Sequence, residues 1–162
     1  MYISTDGSDP ASATPQDYVA ATTQLLASGD GTKTFKARVE DYAGNISDIG
    51  TATIELDTTS PTFTLGAVGA TSFLAPTARI SVASAQTDIS YIAYEVAQAS
   101  TTPENFVAFT GSPMELQVAL LPGVANQVIS VRLKDGAGNA ANTENLDVSL
   151  DATAQLLSLI HI

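Results

Sequence analysis

Short runs of alternating apolar and polar residues, broken by turn residues, fill this chain. Phe35, Ala37 and Val39 interleave with Lys36, Arg38 and Glu40, a period of two that predicts a half-buried strand with the apolar set inward. Ala52, Ile54 and Leu56 predict its hairpin partner. The pattern returns downstream, with Ile129, Val131 and Leu133 inward, Ser130, Arg132 and Lys134 outward, and Leu146, Val148 and Leu150 on the following strand. Between the two hairpins, Phe63 and Leu65 predict a strand after Pro61, and Arg79–Ala83 predicts one with Ile80 and Val82 inward. Ile89–Val96 predicts another with Ile92, Tyr94 and Val96 on one face. Met114, Leu116, Val118 and Leu120 mark a last one before the turn at Pro122-Gly123. No helical period competes; Ala11–Leu26 contains Pro15 and scattered Thr, so any helix there is short. Strands at this regular spacing predict an all-β fold.

The resemblance of the two hairpins is a repeat. Phe35–Asp57 and Ile129–Asp151 align without a gap over 23 positions and share seven identities: Arg38/Arg132, Asp41/Asp135, Ala43/Ala137, Gly44/Gly138, Asn45/Asn139, Leu56/Leu150 and Asp57/Asp151. Upstream, Thr14–Ala20 (TPQDYVA) answers Thr102–Ala108 (TPENFVA). Self-similarity at a fixed period of about ninety residues marks tandem modules. Residues 58–153 hold six or seven expected strands, enough for a complete two-sheet sandwich. Residues 1–57 read as the C-terminal part of an equal module, because Tyr2 aligns best with Tyr94 and the leading strands are missing. Such a half sandwich has an open edge and an uncovered face, and is expected to be marginal alone. Asp57 to Pro61 is the joint, where proline fixes φ and stiffens the connection. Residues 154–162 form a tail. It is either the first strand of a further module, with Leu157 and Leu159 opposite Phe63 and Leu65, or an assembly artefact resembling translated sequencing-adapter DNA. On either reading the chain is part of something longer.

Composition narrows the partners. Hydrophobic residues make up 44%, enough to bury a core, and 17 acids against 6 bases leave a net charge of −11. Residues 1–61 carry nine acids and three bases, and the remainder eight and three, so no basic patch suits nucleic acid or an anionic membrane. Cysteine is absent, which excludes disulfides and thiolate chemistry. No run approaches the roughly 18 apolar residues of a membrane span, and MYISTDGSDP is no signal peptide.

The Asp-x-Ala-Gly-Asn motif is the best-defined local signal. Asp41 and Asp135 are expected to accept from backbone N–H groups just ahead in an Asx-turn. Gly44 and Gly138 suit positive φ, and Asn45 and Asn139 tolerate the left-handed region. Calcium is the rival reading, with Asp41, Asp48 and Asp57, or Asp135 and Asp151, as oxygen ligands. The spacing is not that of a dedicated loop, and Asp48 is replaced by Asn142 in the second copy. Thermal unfolding with calcium and then with chelator separates the two readings. For catalysis, the single histidine, His161, lies in the tail, so no Ser-His-Asp arrangement can form within the modules, and the acids fall on outward or turn positions. No catalytic, cofactor-binding or metal-ligating residues are assigned, and the chain is expected not to be an enzyme. Sugar binding would need exposed rings; there is no Trp, Tyr18 and Phe106 are paired by the repeat in a core or edge role, and Tyr91 is the one ring expected to face outward. Asn45-Ile46-Ser47 fits a glycosylation sequon of little weight.

RVEDYAGNISDIGTATIELDTTSPT and RLKDGAGNAANTENLDVSLDAT are similar to the junctions between repeats in bacterial immunoglobulin-like or fibronectin III-like tandem arrays. The opening YISTDGSDP resembles a segment of small β domains appended to chitin- and hexosamine-acting enzymes. The resemblance implies tandem sandwich modules and a non-catalytic spacer or adhesion role in an extracellular or cell-surface protein. Its partners would be neighbouring repeats of the same chain and a surface protein or glycan. An accessory carbohydrate-binding module of a polysaccharide-degrading enzyme, or a decoration on a phage tail or capsid, are the alternatives. The missing leading strands and the tail depart from the family pattern.

Overall fold

The structure, a computed structural model, describes residues 1–73 and 75–151. The tail at 154–162, with Leu157, Leu159 and His161, lies outside the described residues. The chain divides into two compact units, Met1–Thr59 and Ser60–Ile162, and the described residues of both are all-β apart from one 3-10 turn at Pro10–Ser12.

The second unit contains β4 (Thr64–Ala67), β5 (Ser72–Phe73), β6 (Thr77–Ala83), β7 (Ile89–Ala97), β8 (Val107–Ala108), β9 (Met114–Ala119), β10 (Asn126–Asp135) and β11 (Glu144–Leu150). Two sheets form, in the orders β4-β6-β9 and β5-β11-β10-β7-β8. All pairings are antiparallel except β5 on β11. The inner faces of both sheets meet in one core: Ala78, Ile80 and Val82 of β6, Val118 of β9, Ile92 of β7, Ile129, Val131 and Leu133 of β10, and Val148 and Leu150 of β11. This is a two-sheet sandwich of the immunoglobulin and fibronectin III kind. The expected strands all form. β5 and β8 were not expected, because two residues carry no period; as short strands at the two edges, they limit edge-to-edge pairing. Tyr94 keeps the parity of Ile92 but is exposed, so it is a surface ring rather than a core one.

Ser130, Arg132 and Lys134 point away from the core, as their alternation requires, yet Ser130 is buried and Arg132 and Lys134 are half-buried. A strap formed by residues 101–106 crosses them. The Thr101 N–H donates to Ser130 Oγ at 3.0 Å, Arg132 is paired with Glu104, and the Lys134 amine lies 4.1 Å from the centre of the Phe106 ring. Ser130 is fully buried in consequence. The upstream repeat block beginning at Thr102 therefore codes for this strap.

The first unit has β1 (Tyr2–Ser4), β2 (Gly31–Arg38) and β3 (Gly50–Leu56), paired antiparallel in that order. Here the inward expectation meets a correction. Phe35, Ala37, Ile54 and Leu56 do share a face, but Ala37, Ala52, Val39 and Ile54 are exposed and Phe35 and Leu56 only half-buried. Among the described residues of this unit no counterpart of the β4-β6-β9 sheet covers them. The segment at 11–26 contains only the Pro10–Ser12 turn, where the Ala11 N–H donates to Asp9 Oδ1 at 2.8 Å. The β1–β2 register pairs Tyr2 with Arg38, while Ala93 pairs with Arg132. The ladder therefore equates Tyr2 with Ala93, one residue from the Tyr94 that the sequence alignment chose.

Candidate functional site

Both Asp-x-Ala-Gly-Asn turns close on themselves. Asp41 Oδ1 accepts from the N–H groups of Ala43 (2.9 Å) and Asn45 (2.8 Å), and Oδ2 accepts from the Asn45 side-chain amide at 2.8 Å. Asp135 repeats this with the N–H groups of Gly138 (2.7 Å) and Asn139 (2.8 Å), and with the Asn139 amide at 2.9 Å. Gly44 and Gly138 take positive φ, +87° and +104°, a region in which a Cβ is strained. The asparagines differ from expectation: no non-glycine residue among those described has positive φ, and Asn45 and Asn139 serve as side-chain donors to the aspartate instead. A backbone bond from each Asp N–H to the Asn carbonyl, 3.0 Å and 3.1 Å, completes the loop.

The copies differ in burial. Asp41 is exposed, whereas Asp135 is 1% exposed. A register shift between Lys134 and Asp135 on β7 leaves Ser90 as the extra residue, whose carbonyl accepts from the Phe109 N–H at 2.9 Å. A bulge of this sort re-aims the side chain that follows it. Of the proposed calcium ligands, Asp41 and Asp135 thus have both carboxylate oxygens engaged within their own turns. Asp57 Oδ1 accepts from the Thr59 N–H at 3.0 Å.

Three carboxyls of the first unit are held below their ordinary value of 3.8. Hydrogen bonds to the charged form are the cause: from Ser8 and Ser4 for Asp6, from Thr58 and Thr59 for Asp30, and from Asn45, with Ala43, for Asp41. A depressed folded-state value contributes stability that is present above 3.8 and is lost as pH falls towards the folded values. Acidification from about pH 5 to about pH 2.5 therefore lowers the unfolding midpoint of the first unit. A midpoint that stays flat or rises over that range contradicts the assignment.

The aromatic residues are arranged differently from the expectation. Tyr91 is exposed on β7, as its parity requires, but Tyr18 is also exposed, at 73%, and not in a core role. In the first unit Tyr2, Tyr18 and Tyr42 line one groove of about 460 Å³ together with Asp17, Glu40 and Asp41. The Tyr2 hydroxyl donates to Glu40 Oε2 at 2.7 Å, a bond that raises the phenol above its ordinary value, and the Arg38 guanidinium lies 5.0 Å from the centre of the Tyr2 ring. Sequence reasoning missed this group because its members come from β1, from residues 15–18 and from the turn at residues 40–42. The signal was present in the aligned pairs, where Tyr42 stands opposite Gly136 and Glu40 opposite Lys134.

No protein-family model matches the chain, and neither does any curated protein. Among solved structures, the fibronectin(III)-like modules of Clostridium thermocellum CbhA align with it at 13% identity and a TM-score of 0.46, over 78% of this chain and 66% of that one. So distant a likeness carries nothing about ligand or activity.

Proposed function

We propose that the chain is a non-catalytic spacer or adhesion segment of an extracellular or cell-surface repeat protein, built from immunoglobulin-like modules with the first unit a partial copy. One observation carries this reading. What the two copies hold in common, the Asp-x-Ala-Gly-Asn turn, is closed by hydrogen bonds from its own backbone and asparagine, which supports an architectural role for the shared feature. Repetition preserves a chemistry when each copy performs it; here it preserves a turn and a strand pairing. An acidic surface with net charge −11 keeps close-set modules apart and soluble. Neighbouring repeats of the same chain are the expected partners, and the proline-bearing joint at Asp57 to Pro61 suits a short connection between them.

The parent reading frame tests this directly. Further copies of the Asp-x-Ala-Gly-Asn turn at about ninety-residue spacing, with an export signal, are the expected result. A lone pair of copies beside a catalytic domain would instead make the chain an accessory module, and the spacer reading would be dropped.

A further inference from the structure

Strand β9 is an edge strand that lacks the usual protections. The five-stranded sheet of the second unit ends in β5 and β8, two residues each, and the other sheet ends in β4, four residues, and β9, six. Long bare edges are templates for pairing with another chain, and proteins blunt them with lysine, proline, bulges or inward charges. Met114–Ala119 contains no lysine and no proline, and its register against β6 runs without a shift. Its one charge, Glu115, is exposed and paired with Arg79 of β6.

Alternation fixes which backbone groups are free. The Leu120 N–H donates to the Pro76 carbonyl, and the Val68 N–H to the Arg79 carbonyl. In an antiparallel ladder both groups of a residue point to the same side, and the sides alternate along the strand. Even-numbered residues of β9 therefore bond to β6, in the pairs Met114–Val82, Leu116–Ile80 and Val118–Ala78. Glu115, Gln117 and Ala119 turn their N–H and C=O groups to the open edge. All three are exposed, and among the described residues no strand pairs with them there. The flank around them is apolar. β4 lies over β11, so β9 shares the opposite flank with β7 and β8. There Tyr94 and Val107 have the parity of the core residue Ile92 but are 41% and 55% exposed, and Met114 and Leu116 are only partly buried.

From this we infer that β9 is a pairing edge for a second copy of this chain, joined antiparallel about a two-fold axis at Gln117. That register uses all three open residues: Gln117 meets the Gln117 of the second copy, and Glu115 meets its Ala119. Each such pair exchanges two backbone hydrogen bonds. An axis at Leu116 would set Ala119 against Pro113, which has no N–H to give. An axis at Val118 would call on the Leu121 N–H, which already donates to Gln127 Oε1 at 2.6 Å. With the axis at Gln117 the two Glu115 carboxylates are not opposed, so no like charges stand face to face. On the inner face Leu116 meets Val118 and Met114 meets Leu120, which extends the core across the seam. The two three-stranded sheets become one, and the isologous contact closes at two copies. Such a contact is small and therefore weak, and the net charge of −11 opposes it, so salt strengthens it. The pairing does not depend on the spacer reading; if that reading holds, it joins chains that run in opposite directions.

Sedimentation equilibrium of the full chain, from about 10 μM to about 1 mM at low and high salt, provides the test. A monomer–dimer equilibrium is expected, tighter at high salt, with slowed amide exchange at Glu115, Gln117 and Ala119 in the dimer. Gln117→Pro weakens the dimer about tenfold or more, because it removes an N–H that faces the open edge and leaves the β6 ladder whole. Gln117→Glu keeps that N–H and weakens the dimer by setting like charges face to face at the axis. It decides the matter should the proline variant fail to fold. The proposal is overturned if the chain stays monomeric up to about 1 mM at high salt. A dimer that folded Gln117→Pro or, failing that variant, Gln117→Glu leaves unchanged overturns it equally.

Discussion

Leu133→Ala lowers the unfolding free energy of the second unit by about 2–5 kcal/mol, while Val39→Ala, at the aligned position of the first unit, costs less than about 1 kcal/mol. The two residues occupy one place in the aligned segments and carry the same inward parity, Leu133 within β10 and Val39 just past the end of β2. Leu133 is 0% exposed in a core lined by β6 and β9, so truncation removes its transfer energy and leaves a cavity that close-packed neighbours only partly fill. Val39 is 40% exposed, so little apolar area returns to water and no cavity forms. Hydrogen exchange resolved by residue measures each unit separately, since the two need not unfold together. Equal losses at the two positions would show that the face of the first unit is covered in solution.

The second large effect lies in the turn. Asp135→Ala is expected to destabilise the second unit by about 2–3 kcal/mol, because a buried carboxylate that accepts three hydrogen bonds is removed and its donors lose their partner. The same change at Asp41 breaks bonds of equal geometry in water, where solvent replaces the acceptor, and produces a clearly smaller loss. Denaturant midpoints of the two variants, followed by resonances of each unit, make the comparison. If Asp41→Ala proved the more damaging, burial would not be what sets the strength of this turn.

Much of the fold was legible because period two is read directly from neighbouring residues. The β10–β11 and β2–β3 hairpins, the turn between their strands, and the inward set Ile129, Val131 and Leu133 all follow from alternation and from the Asp-Gly-Asn chemistry of the loop. The role of Asn45 and Asn139 was misread, since a side-chain amide donor and a left-handed backbone satisfy the same sequence preference. Parity also misled at Tyr94, because it assigns a face without saying whether anything covers that face. The candidate groove was less legible still. Tyr2, Tyr18 and Tyr42 are far apart in sequence, and each reads singly as an ordinary surface or strand residue.

By itself the sequence determined the all-β class, the likeness of the two hairpin segments, the hairpin partners and the facing of their side chains, all of which are set by local sterics and by periodicity. Only the tertiary structure decided which faces become interior. Burial is a property of two surfaces meeting, and the second surface comes from residues distant in the chain. That is why Val131 is sealed and the aligned Ala37 is exposed, and why Lys134 fastens a strap over Phe106 while Glu40 stands beside an open groove.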